Sequence, residues 1–233
     1  MFLGRREAGR LLARKLQARA SWPDVLVLAL PRGGVPVGFE VAEALEAPLD
    51  VFLVRRLRMP GNEEFALGAV ASGGLRVLNR LLIEAYAIPD RVVAGIEARE
   101  RAELERRERS YRAGQPPLDV RRRTVILVDD GLATGASMHA AVLALRQAGP
   151  ARIIVAVPVA SMEACEAMQV DADDVVCLST PEPFVAVGRW YADFDQTTDA
   201  EVKELLASAR ERNLSAPEMI GAGRDSARAR SSA

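Results

Sequence analysis

Two cysteines and a single histidine in 233 residues leave little material for metal or redox chemistry. Cys165 and Cys177 have no second pair and no nearby histidine, so neither zinc ligation nor a disulfide framework is expected, and both read as reduced core residues. No apolar run approaches the ~20 residues of a membrane span, because charges interrupt every hydrophobic stretch, the N-terminal MFLGRREAGRLLARKLQARA included. That excludes a membrane partner and leaves a cytoplasmic location as the expectation. The formal net charge is −1, so there is no global basic field and no obligatory nucleic-acid partner. Aromatic residues make up only 5% of the chain, which gives any local concentration of them weight.

What the chain does have is apolar material, 49% of it, enough to bury a sizeable core in one α/β domain with a small appendage. Residues 3–18 place Leu11, Leu12 and Leu16 among Arg and Glu at helical spacing. Residues 25–30 read as a buried strand, Gly33 and Gly34 open a helix running to Leu45, and 51–54 read as the next strand. From 57 to 74 the pattern weakens into a mobile loop and a hairpin turn flanking 66–71. Helices are expected at 79–87 and 90–112, the latter with Glu and Arg at fourth-residue spacing as on a solvated face. Strands at 125–128, 153–159 and 175–178, with a helix at 162–168 between the last two, imply a three-layer α/β/α sandwich on a parallel sheet. A helix at 201–212 ends the folded part, and 213–233 is expected to be a disordered tail.

The densest chemistry lies in 125–137, VILVDDGLATGAS. A branched apolar run reads as a buried strand, and Asp129 and Asp130 fall at its carboxyl end, where open α/β sheets bind ligands. Gly131, Ala133, Gly135 and Ala136 leave backbone amides unshielded, and Thr134 and Ser137 add hydroxyl donors at a helix N-terminus, an arrangement that attracts phosphate. Carboxylates would repel that phosphate directly, so their natural partners are the hydroxyls of an attached sugar. The pattern fits a ribose 5-phosphate.

This segment resembles the 5-phosphoribosyl diphosphate (PRPP) signature of the type I phosphoribosyltransferases: a hydrophobic strand, two acids, three variable residues, Thr-Gly and a hydroxyl residue. The resemblance implies a mainly parallel central sheet with an antiparallel edge strand, helices on both faces and a hood from the terminal segments, all within residues 1–212. It implies Mg²⁺-dependent transfer of a 5-phosphoribosyl group from PRPP to a ring nitrogen of a small planar acceptor, with release of pyrophosphate. Asp129 and Asp130 would hold the ribose hydroxyls as the catalytic pair, and Ala133, Thr134, Gly135, Ala136 and Ser137 the 5′-phosphate. Mg²⁺ would be held mainly by substrate oxygens and water, so no protein metal ligand is assigned.

Pro31-Arg32-Gly33-Gly34, at the end of the first strand, would lie beside this loop if the two strands are neighbours. It resembles the family's pyrophosphate loop, with a cis peptide expected from Pro31 to Arg32, a diphosphate pairing with Arg32, and close approach at Gly33 and Gly34. Arg55 and Arg56 resemble the basic segment that contacts pyrophosphate in adenine-type members. The aromatic run 184–194 resembles the hood of purine-type members, with Phe184 and Val185 at the acceptor. Ala133 stands where 6-oxopurine enzymes carry an acid, as adenine-type members do. His139 is expected to be packed or solvent-facing, with no acid–base role. The competing reading is a regulatory protein that senses PRPP or a nucleotide without transfer. A receiver-like phosphoacceptor would need a strand-end lysine that 159–161 and 178–180 lack. A homo-oligomer is compatible with either.

Overall fold

The computed structural model describes residues 1–18 and 22–215. In chain order its first half comprises α1 (Arg5–Gln17), β1 (Val25–Ala29), α2 (Gly34–Ala44), β2 (Leu49–Val51), β3 (Val54–Met59), β4 (Asn62–Ala71), β5 (Leu75–Leu78), α3 (Arg80–Ala85) and α4 (Asp90–Arg112). The second half comprises β6 (Thr124–Val128), α5 (Ala136–Gln147), β7 (Arg152–Val159), α6 (Met162–Met168), β8 (Asp174–Ser179) and α7 (Asp199–Ser215).

Five strands form one sheet in the order β2-β1-β6-β7-β8, and every pairing in it is parallel. Beyond Thr124 and Arg152 at their first positions, its middle strands are apolar because both faces are covered. Val27, Ile126 and Ile154 point into a cluster with Leu12, Val41 and Leu206, from α1, α2 and α7. Their neighbours Leu28, Leu127 and Val155 point the other way, into a cluster with Met138 and Leu145 of α5 and Met168 of α6. The period-2 alternation of a strand thus builds the three layers expected, and it makes β1 and β6 direct neighbours.

The one antiparallel edge strand expected of this sheet is absent from the five; the antiparallel strands form a second sheet, in the order β3-β4-β5. The single strand read at 51–54 is where the chain crosses between the two. Phe52 donates its amide to the Ala29 carbonyl (3.0 Å), while Leu53 donates to the Ser72 hydroxyl (3.0 Å), and both side chains are buried. An unbroken apolar run contains no breaker to mark such a crossing. The expected loop at 57–74 is mostly β structure, with Met59 opposite Asn62 and Val54 opposite Ala71. Its strands alternate buried Leu57 and Leu67 with arginine, glutamate and small residues, which masks the period. Arg55 and Arg56 therefore sit on a strand rather than on a loop.

Helices α4 and α6 have the bounds read from the sequence, while α7 continues to Ser215, past the boundary drawn at 212. The rest of the expected tail, 216–233, lies outside the described residues. Cys165 and Cys177 are joined by a disulfide with their Cα atoms 6.5 Å apart, which corrects the reduced state expected for them. The helix-turn-strand connection folds α6 back on β8 so that these positions face one another, a relation that spacing alone does not reveal.

Helix α1 is held against α2 by shape and charge. Glu40 is buried on α2 and accepts from Arg6 (2.5 Å) and Arg10 (3.2 Å) of α1, so its charge is paired as burial requires. At Gly9 the backbones come close: a Cβ there would lie 2.8 Å from the Val37 carbonyl oxygen and 2.9 Å from the Glu40 Cβ. Gly9→Val is therefore expected to separate the two helices and cost ~1–3 kcal/mol of stability, readable as a lower midpoint in urea denaturation.

Candidate functional site: an acid pair, a phosphate loop and two clefts

Strand β6 is buried along its whole length and delivers Asp129 and Asp130 to the carboxyl edge of the sheet. The Asp130 amide donates to the Asp129 carboxylate (2.8 Å). Arg5, in the first turn of α1, donates from Nε to the Asp130 carboxylate at 2.8 Å, with side-chain exposures of 12% and 15%. The same guanidinium donates to the Asp195 carbonyl (2.7 Å) and lies 3.9 Å over the Phe194 ring. Burial pushes both acids above the usual carboxylate range; the charge of Asp130 pushes Asp129 further, while Arg5 works against the rise at Asp130. The Tyr191 hydroxyl donates to the Asp130 backbone carbonyl (2.5 Å), and burial raises its pKa, so it remains a donor.

The loop after β1 packs directly on this pair. The peptide from Pro31 to Arg32 is cis, as expected. A Cβ at Gly33 would fall on the Asp130 carboxylate, and one at Gly34 would lie 2.7 Å from the Val128 carbonyl and 2.9 Å from the Asp129 Cα. These glycines are needed for the approach of one strand end to the other, a reason additional to any ligand. The Gly34 amide is already committed to the Leu30 carbonyl (3.0 Å), which removes it as an anion donor. Arg32 reaches Asp199 at 3.6 Å, and Asp199 accepts from the Tyr111 hydroxyl at 2.6 Å. That hydroxyl is pushed up to about 12 by burial and by its bond to Asp199.

Beyond the acids, Leu132 is pinned to β7 by its amide on the Val159 carbonyl (2.9 Å), and Gly135 adopts a left-handed conformation (φ 68°) at the N-cap of α5. Among the described residues no partner occupies the amides of Ala133, Thr134, Gly135 or Ser137, while the Ala136 amide turns to the Thr134 hydroxyl (3.4 Å). The loop expected to bind phosphate thus presents free donors at a helix start. His139 stands half-exposed on α5 with Nε2 2.8 Å from the Asp171 carboxylate.

Two clefts open beside the loop. One, of about 1040 Å³, is lined by Ala133, Thr134, Met162, Glu163, Phe184 and Val185 among others, and so brings the expected acceptor residues onto the phosphate loop. The other, of about 430 Å³, is lined by Arg55, Arg56, Arg58, Arg99 and Glu100 together with Ser137. Arg55 is paired with Glu100 (2.7 Å), whereas Arg56 makes no ion pair among the described residues. Arg5, Tyr191 and Asp199 did not emerge from the sequence as parts of the site. Their partners are remote in the chain, 125 residues away for Arg5 and Asp130, and no local motif marks them.

The chain matches the phosphoribosyl transferase domain family over residues 4–194. It is 42% identical over 209 residues to a Mycobacterium tuberculosis protein provisionally named a phosphoribosyl transferase, covering 90% of this chain and 47% of that protein. The chain thus spans about half the length of the curated relatives it matches. The crystal structure of TT1426 from Thermus thermophilus superposes with a TM-score of 0.80 at 47% identity, covering 89% of this chain and 98% of that one.

A buried carboxylate with a raised pKa opposes folding. Ionised Asp129 is disfavoured in the folded state at pH above its folded pKa, and the penalty fades as pH falls through that value. Asp129→Asn keeps an oxygen for the Asp130 amide and removes the charge. It is expected to melt at a higher temperature than the natural chain at about pH 8 and to lose that advantage by about pH 4, in thermal denaturation followed by circular dichroism.

Proposed function

The chain belongs to the phosphoribosyl transferase family, and from that premise we propose that it transfers a 5-phosphoribosyl group from PRPP to a ring nitrogen of a planar acceptor, releasing pyrophosphate. The observation that carries this reading is the junction of three features at one strand end: the Asp129–Asp130 pair, the loop of free amides beside it, and a cleft opening from the same loop. The 5′-phosphate binds the amides of Ala133, Thr134, Gly135 and Ser137 with the Thr134 and Ser137 hydroxyls. Ala136 contributes through its place at the helix start. The ribose hydroxyls donate to Asp129 and Asp130, whose ionised forms gain the hydrogen bonds that burial had denied them. Arg5 and Tyr191 hold Asp130 in place from both sides.

In the reaction the bond from C1′ to the diphosphate oxygen breaks, the ring nitrogen bonds to C1′, and the nitrogen's proton leaves. Positive charge grows on C1′ and the ring oxygen, and the adjacent carboxylates favour it. In this reading the diphosphate lies against the β1 loop and the arginine cleft, with Arg56, which has no ion pair among the described residues, as one cation and Arg55 and Arg32 as cations that would exchange a carboxylate for a phosphate. Gly33 and Gly34 serve by letting the loop approach. The residues fit a metal carried by its substrate: two adjacent carboxylates face the ribose, and among the described residues no cluster of three or more His, Cys, Asp or Glu could hold an ion alone. When bound, Mg²⁺ neutralises the departing diphosphate. Phe184 offers a ring face to the acceptor and Val185 an apolar edge.

Calorimetric titration with Mg²⁺ and PRPP tests the pocket. Asp129→Asn with Asp130→Asn is expected to lose ~1.5–3 kcal/mol per residue, or at least ~100-fold in affinity together. Unchanged affinity in the folded double variant refutes the assignment. Because PRPP selects ionised carboxylates, its affinity should rise with pH until both are ionised. With Ala133 offering no acid to a purine N7, hypoxanthine and guanine should release pyrophosphate ~10²–10⁴-fold more slowly than the best acceptor. PRPP binding with no release for any base would favour a sensor.

A further inference from the structure

The two clefts beside the phosphate loop carry opposite charge. The smaller one is lined by Arg55, Arg56, Arg58 and Arg99 against only Glu63 and Glu100. The larger one has two charged side chains in its lining, Glu163 on α6 and Glu182 in the turn after β8, and no Lys, Arg or His. Both glutamates are exposed to the solvent of the cleft. Of the neutral donors in this wall, the free amides of Ala133 and Thr134 are taken by the 5′-phosphate in the transfer reading above. The Ser161 hydroxyl donates to the Ala133 carbonyl (2.9 Å) and accepts from the Ala164 amide (3.1 Å), so its proton is committed within the protein. The remaining wall is apolar, with Met162, Pro181, Pro183 and the half-buried Phe184, whose ring packs on the cluster around Tyr191.

Such a wall binds a flat ring by area, and its charges select among rings. Two carboxylates in the wall of a cleft disfavour an anion relative to a neutral ring and favour a cation, by about tenfold where each contributes about 0.7 kcal/mol. Resting on the transfer reading above, we propose that the acceptor is a planar heterocycle, neutral or cationic, that presents amino or ring N–H donors to Glu163 and Glu182, and that carboxylated or otherwise anionic rings are rejected. The same separation orients PRPP, whose diphosphate is disfavoured in the acceptor cleft and drawn to the arginines, while its 5′-phosphate stays on the loop between them.

A pair of flat probes that differ in charge tests this without turnover. Benzamidine and benzoate are titrated into the full chain with ribose 5-phosphate present, at low salt, with binding read by ligand-observed NMR. Benzamidine is expected to bind at least about tenfold more tightly, with the ratio shrinking as salt is added. Glu163→Gln with Glu182→Gln should bring the ratio towards one, and Glu163→Lys with Glu182→Lys should invert it. Equal binding, tighter binding of benzoate, no measurable binding of either, or a ratio insensitive to these variants would overturn the proposal. Pyrophosphate release with adenine and with orotate separates it from the transfer reading. Efficient transfer to orotate sinks the acceptor class and leaves transfer standing, whereas silence with every base alongside an intact benzamidine preference does the reverse.

Discussion

Two adjacent carboxylates at the end of a fully buried strand are the constraint around which the rest of the molecule is arranged. Desolvation disfavours both charges, and the charge of Asp130 further disfavours that of Asp129. The relief comes from elements far apart in the chain. Helix α1 supplies the Arg5 guanidinium, the segment after β8 supplies the Tyr191 hydroxyl and the Phe194 ring beneath Arg5, and the β1 loop has no side chain at Gly33 or Gly34 to displace the acids. The contacts of α1 with α2 at Gly9 and Glu40 are therefore functional at one remove, since they set where Arg5 stands.

The two clefts beside the loop differ in their balance of charge. Arginines gather on β3 and α4, acids on α6 and the 182 turn, and the phosphate loop lies between them with its donors free. Arg32 sits at the margin, held by an Asp199 that is itself fixed by Tyr111. A cation paired in this way is preorganised without being neutralised at close range, because 3.6 Å is long for a charge-assisted contact.

How much of this was legible in the sequence depended on the range of the interaction. The strand, acid pair, loop and helix of 124–147 are contiguous, and their chemistry could be read in order. The neighbouring of β1 and β6 entered the sequence reading only as a condition, and the parallel pairing of the two strands meets it. The crossing at Phe52 and Leu53 was not legible, since apolar residues serve either sheet equally well. The β3–β4 hairpin was hidden because its buried positions are few and its exposed ones carry arginine, which elsewhere marks loops. Cys165 and Cys177 looked unrelated because their meeting depends on how α6 folds back on β8. Arg5 was invisible for the plainest reason, that nothing near it in the chain needs a cation.

The span between Arg5 and Asp130 also bears on how the molecule comes into being. Their 125-residue separation, together with the placement of β6 beside β1, means that the central sheet closes only after the intervening β2–α4 segment has been made. That segment has its own antiparallel sheet of near neighbours, which can form early and at low loop-closure cost. During vectorial synthesis, β1 must wait with an unpaired edge until β6 emerges, and the acid pair must wait longer still for Tyr191. The surroundings of the acid pair are thus completed only once residues on both sides of the β2–α4 segment are in place, and the glycines of the β1 loop leave open the space into which the acids settle.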